Sequence, residues 1–272
     1  MILYCIESVK NMSDNGEKNT NTVEIRTVQS GAFKVLIEAL KELLTDTAIE
    51  ISNKGLKIVT MDTSHVVLVH MILHADKFEY FHCATPRVIG INMLNFYKII
   101  KTISNDTLTI FMEGDDINHI NIRIDKQDKD MSSTYKLNTI DINHEKVSIP
   151  DAIFSSVITL PSNDFQKICR DMSNHADNVE ITKISNKLIF TCVGDYCSQT
   201  TTITSDTMIE NISSDEIIQG VYSLKYLVLF TKCSALSNTV ELYSRNDFPL
   251  IVRYTVASLG DIKLCVSPIA VD

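Results

Sequence analysis

No apolar run in this 272-residue chain approaches the roughly 20 residues that a membrane-spanning helix needs. The first ten residues, MILYCIESVK, lack a basic start, a long apolar core and a small-residue cleavage site, which argues against a secretory signal. Seven cysteines, at 5, 83, 169, 192, 197, 233 and 265, form no CxxC pair and have irregular spacings. That pattern excludes a zinc ribbon or a disulfide scaffold and points to reduced thiols in an intracellular protein. Positive charge is scarce: 25 Lys and Arg against 34 Asp and Glu leave a net charge of −9. General adhesion to nucleic acid is thereby excluded, although a local basic surface is not. There is no phosphate-binding glycine loop and no Gly-x-Ser-x-Gly elbow.

Against that background, the segment 221–233, VYSLKYLVLFTKC, is unexpected: it is apolar except for Lys225 and Lys232, with no acid nearby. At about 100° per residue, seven residues bring the two lysines within roughly 20° on one helical stripe. Three other stretches share the design, a small polar residue followed by a helical pattern that carries cations. They start at Ser30, Asn92 and Ser162, and with Ser223 they recur every 60 to 70 residues or so. Ser and Asn at these positions are expected N-caps. The cation pairs are Lys34 and Lys41, Lys98 and Lys101, Lys167 and Arg170, and Lys225 and Lys232. Spacings of three or seven put both members of a pair on one side of a helix. Glu38, Glu42, Asp164 and Asp171 dilute the first and third pairs, leaving the second and fourth cleanest. A single pair taken alone fits a solvated helix face better than a binding site. Four of them in an acidic chain suit a polyanion bound without sequence reading.

Between these helices lie β-branched runs broken by Asn, Asp, Gly and Ser, such as GLKIVT, TLTIFM, KLIFTCV and PLIVRYTV. The order strand, helix, about three strands, repeated four times, predicts two similar halves. The stretch 138–153, NTIDINHEKVSIPDAI, has no period and reads as a connector between a first domain, 23–137, and a second, 154–272. Residues 11–22, NMSDNGEKNTNT, are nearly free of apolar side chains, so 1–22 reads as an N-terminal extension, disordered at least over 11–22.

Several segments resemble the proliferating cell nuclear antigen family, the eukaryotic-type DNA sliding clamps. They are GLKIVTMDTSHVVLVHMILHADKF (55–78), HCATPRVIGINMLNFYKIIK (82–101), PSNDFQKICRDMS (161–173), LKYLVLFTKCSALSNTV (224–240) and DFPLIVRYTVASLGDIKLCVSP (247–268). The resemblance implies an α+β clamp fold, with two similar domains each carrying two helices on antiparallel sheets. It further implies a ring of three identical chains around double-stranded DNA, with the eight cations named above facing the phosphates. Edge strands near 131–137 and 197–204 would join the chains. The implied role is a non-enzymatic processivity factor without cofactor or metal, recruiting DNA polymerase, a clamp loader and replication and repair proteins. Partners would carry a short peptide motif and dock on Met61, His65, Val66, Ile149, Pro150, Pro249, Val266, Ser267 and Pro268. The place of action would be the nucleus, or a cytoplasmic replication factory for a chain from a large DNA virus. Cys265 departs from the family's usual aromatic, and Ser185 from the modifiable lysine of many relatives. Competing readings are a heterotrimeric checkpoint-type clamp, a monomeric processivity factor, and a metal-dependent nuclease using Glu113, Asp115 and Asp116 or Asp125, Asp128 and Asp130.

Overall fold

The computed structural model describes residues 21–62, 64–114, 116–127, 130–142, 152–204, 209–212 and 216–270. Ile149 and Pro150, Asp115 and Asp128, and residues 1–20 lie outside them.

The first half builds β1 (Asn21–Thr27), α1 (Ser30–Leu43), β2 (Asp46–Ser52), β3 (Gly55–Met61), β4 (Val67–His74), β5 (Tyr80–Cys83), β6 (Arg87–Asn92), α2 (Met93–Ile100), β7 (Thr107–Glu113), β8 (His119–Lys126) and β9 (Met131–Asn138). The second builds β10 (Ser156–Pro161), α3 (Ser162–Met172), β11 (Asn178–Ile184), β12 (Lys187–Val193), β13 (Ser198–Thr204), β14 (Ile209–Ile212), β15 (Ile218–Ser223), α4 (Leu224–Phe230), β16 (Thr239–Ser244), β17 (Leu250–Val256) and β18 (Gly260–Val266). A five-stranded sheet, β5-β1-β7-β8-β9, belongs to the first half and a four-stranded one, β13-β12-β11-β15, to the second. A nine-stranded sheet, β14-β10-β16-β17-β18-β4-β3-β2-β6, runs through both. Its joint is β18 on β4, paired from Gly260 with Leu73 to Val266 with Val67.

Alternation sets which side chains the sheets bury. In β17, Leu250, Val252, Tyr254 and Val256 are buried, while Ile251, Arg253 and Thr255 point the other way. Helices cover the buried face. Helix α1 turns Phe33, Leu36, Ile37 and Leu40 inward at helical spacing, and α3 turns Phe165, Cys169 and Met172. Six cysteines among the described residues are free thiols, and burial pushes Cys233 up to about 12 and Cys265 up to about 11.

Several expectations need correction. Asn92 caps α2 as expected, its Oδ1 accepting from the Asn95 amide at 3.0 Å. Ser30 and Ser162 are instead the first helical residues, fully buried, after Gln29 and Pro161. Ser30 Oγ donates across to the Asp106 carbonyl, so a tertiary contact takes the place of a cap. Ser223 stands at the cap position of α4 without a side-chain bond. The fourth helix is α-helical only to Phe230, and Thr231–Ala235 continues as a 3₁₀ turn. Two steps at about 120° instead of 100° shift Lys232 by only about 40°, so it still shares a stripe with Lys225. The extension is shorter than expected: β1 starts at Asn21, which pairs with Glu113. Asn21 and Thr22 are therefore strand, recruited by backbone ladders on both sides.

Candidate DNA-facing helices and partner groove

The helices form one layer. Helix α1 packs on α2, α3 packs on α4 and its 3₁₀ extension, and α1 meets α4 across the two halves. The spatial order is α2, α1, α4, α3, so all four cation pairs sit on one layer. They are not equally free. Lys34 is half-buried and donates to the Ile103 carbonyl. Lys41 pairs with Glu42 and lies 4.9 Å from the centre of the Tyr97 ring. Both cations of α1 are thus engaged within the chain. Lys98, Lys101, Lys167, Arg170, Lys225 and Lys232 are all exposed, with no ion pair among the described residues. Lys167 lines a hollow with Asp164, Asp171 and Thr201, between α3 and the β13 edge.

On the other side of the nine-stranded sheet, the registers assemble a row that no segment contains by itself. Tyr243 pairs with Ile251, Ile251 with Cys265, Cys265 with Leu68, and Leu68 with Met61. These five side chains lie side by side on the outward face. Phe154 extends the row, edge-on to Tyr243 at 5.4 Å and to Phe248 at 5.6 Å. A parallel polar row, Glu241, Arg253, Lys263 and His70, borders it. Arg253 Nη1 donates to Glu241 at 2.8 Å, and Tyr243 OH donates to the same carboxylate at 2.6 Å. Burial would raise Glu241, but these hydrogen bonds outweigh it and hold the carboxyl below its ordinary range.

Met61 opens the loop that closes one end of the row. There the Asp62 carboxylate accepts from Ser64, from the Val66 amide at 2.9 Å and from the Val67 amide at 2.8 Å. His65 takes a left-handed backbone, φ 56°, and is exposed. Ser64 Oγ also meets Tyr226 OH of α4 at 2.8 Å, tying the loop to the helix layer. Ser267 donates its amide to the Val66 carbonyl at 3.3 Å, which brings Ser267 and Pro268 alongside. Pro249 is half-buried next to Phe248.

Val266 is a correction: its side chain is fully buried on the core face of β18, and the neighbouring Cys265 faces the row. Sequence reading missed Phe154, Tyr243, Phe248 and Ile251 as groove residues. The signal present was an apolar residue at an outward position of an alternating strand, but only the register shows that these positions align.

Burial of Asp62 would raise its pKa, but hydrogen bonds from Ser64, Val67 and Val66 prevail and lower it. A carboxyl lowered on folding stabilises the loop above its unfolded pKa, and that contribution fades as pH falls through the folded value. Acidification below about pH 4 should therefore loosen 62–66 before the sheets melt. Amide exchange of Val66 and Val67 against pH tests this, and Asp62→Asn should mimic the acid state at neutral pH. Unchanged protection in both cases would remove Asp62 as the organiser.

Two of the carboxylates considered as metal ligands have other partners. Asp116 is held by His119 at 2.9 Å and Lys136 at 3.2 Å, which keep it down to about 2. Asp125 takes Arg123 Nε at 3.2 Å. Among the described residues no three His, Cys, Asp or Glu side chains gather as a metal site, and no helix is long and apolar enough to cross a membrane.

A helix layer backed by sheets that span two similar halves defines the class of two-domain clamps. The N-terminal domain model of proliferating cell nuclear antigen matches residues 22–146, and its C-terminal domain model matches residues 148–269. The chain is also 34% identical over 251 residues to a protein named "Probable DNA polymerase sliding clamp 1" of Paramecium bursaria Chlorella virus 1, covering 90% of this chain and 96% of that one. The chain belongs to the proliferating cell nuclear antigen family.

Proposed function

We propose that this chain is a DNA polymerase processivity factor, a sliding clamp that closes as a homotrimeric ring around duplex DNA. One observation carries the reading: six exposed cations lie on the helix layer of an acidic chain, on the opposite side from the apolar row. Cations spread over three helices attract phosphates without fixing a register, so the duplex can slide. The apolar row and the Met61–Val66 loop form the docking groove for a short motif of polymerase, loader or repair proteins. Met61, His65, Ser267, Pro268 and Pro249 form its rim. Cys265, smaller than an aromatic, leaves room for a bulkier anchor on the floor. No catalytic residue or cofactor enters this mechanism; the protein acts by topology and tethering, wherever its DNA is replicated.

Head-to-tail closure needs two unlike edges on each chain. Strands β9 and β13 end their sheets, one in each half. Mass in solution tests the reading: a species near three times 30.6 kDa is expected. A monomer at micromolar concentration that still binds DNA would favour a one-sided processivity factor, and a trimer formed only with other subunits would favour the checkpoint type.

A further inference from the structure

A hollow of roughly 480 Å³ lies away from the helix layer and the partner groove, between β6 and the turn that follows Glu113. It gathers three apolar residues that stand open to solvent, Val88 (52% exposed), Ile117 (64%) and Ile140 (37%), over buried Met112. Scattered single apolar side chains are ordinary on a surface, but three converging on one hollow mark a contact site. β6 is an edge of the nine-stranded sheet. The Gly90 carbonyl accepts the Ile140 amide from the outer side, so by alternation the Val88 N–H and C=O also point outward. A Cβ at Gly90 would meet the Ile140 carbonyl oxygen at 2.2 Å, so glycine is what lets the chain leave β9 this close to β6. Arg87 Nε, also at the hollow, is buried and has no acceptor among the described residues.

We propose that residues 1–6, MILYCI, fill this hollow as a short strand added along β6. The chain reaches the fold at this place: Asn21 pairs with Glu113 and Val23 with Met112. Residues 7–20 are the tether between the segment and Asn21. A random-coil tether of fourteen residues would have a root-mean-square span of about 19 to 22 Å. A tether of that length holds the segment at a local concentration in the millimolar range. A contact with an intrinsic Kd of about 0.1 mM would then be roughly nine-tenths occupied without any partner, enough to slow exchange about tenfold. Met, Ile, Leu, Tyr, Cys and Ile are all apolar, and Ile and Tyr favour strands. Strand addition supplies ladder partners for Val88 and apolar cover for Ile117 and Ile140. Glu7, next in the chain, supplies a carboxylate for the Arg87 guanidinium.

Hydrogen exchange on the full chain is the test, with three variants: deletion of residues 2–7, Ile117→Asp, and Val88→Asp with Ile117→Asp. In the full chain, amides 2–6 should exchange at least tenfold slower than in the free hexapeptide, independently of protein concentration. Both aspartate variants should abolish that protection, and the deletion should speed exchange at Val88 while leaving the mass in solution unchanged. Circular dichroism establishes that the variants fold, and Ile117 is exposed enough that its change alone spares the core. Random-coil exchange of residues 2–6 in the full chain would overturn the proposal. So would protection that survives both aspartate variants, or that disappears on dilution, which would assign the hollow to a second copy. Deletion without effect on Val88, with exchange instead rising at 143–151 in the aspartate variants, would assign it to the connector and equally end the proposal.

Discussion

Changing Lys98, Lys101, Lys225 and Lys232 together to Gln should flatten the dependence of log DNA affinity on log salt by roughly 3.6, about 0.9 for each phosphate no longer neutralised. These four residues are exposed and have no ion pair among the described residues, so the fold should survive and the melting temperature should hardly move. The loss should be equal for any duplex sequence, because phosphates carry no base code. Processivity with the cognate polymerase should fall, while binding of a partner peptide should stay as it was. Changing Lys34 and Lys41 instead should do less to the slope and more to stability, since those two are tied to Ile103, Glu42 and Tyr97. A fourfold variant with an unaltered slope and unaltered processivity would show that the cations merely solubilise the layer.

A single proline on an outer edge should convert the assembled species to monomer. Which residue to change follows from backbone direction. The Thr139 amide donates to Asn118, so alternation turns the amides of Thr134 and Lys136 in β9 away from β8. The Gly194 amide donates to the Cys197 carbonyl, which likewise turns those of Thr200 and Thr202 away from β12. Lys136→Pro or Thr202→Pro removes an outward donor and leaves the chain's own ladder whole. Sedimentation at low micromolar concentration should show about one third of the assembled mass, with unchanged far-ultraviolet dichroism. Proline at Tyr135 or Thr201 strikes an inward amide and should also destabilise the sheet. If both outward variants remain assembled, the subunits join elsewhere.

What the sequence by itself determined is local. Helices and strands were legible because periods of 3.6 and 2 are properties of neighbours in the chain. The four helices begin within a residue of the expected starts, and β3, β7, β12 and β17 fall on the runs read as strands. Family membership was legible for the same reason: its signatures are continuous segments. The tertiary structure decided whatever depends on pairing between distant segments. Whether Ser30 caps a helix or reaches Asp106 depends on where β7 lies. Lys34 and Lys41 read as members of a cationic stripe, yet Ile103 and Tyr97, from a loop and another helix, engage them. Residues 21 and 22 have the polarity of a disordered tail but become strand because β5 and β7 offer open ladders on either side. The apolar row from Met61 to Phe154 draws on five strands and one loop, and a slip of one residue in any register would turn that strand's contribution to the other face. That sensitivity also separates Cys265 from Val266: adjacent in the chain, one faces the groove and the other the core.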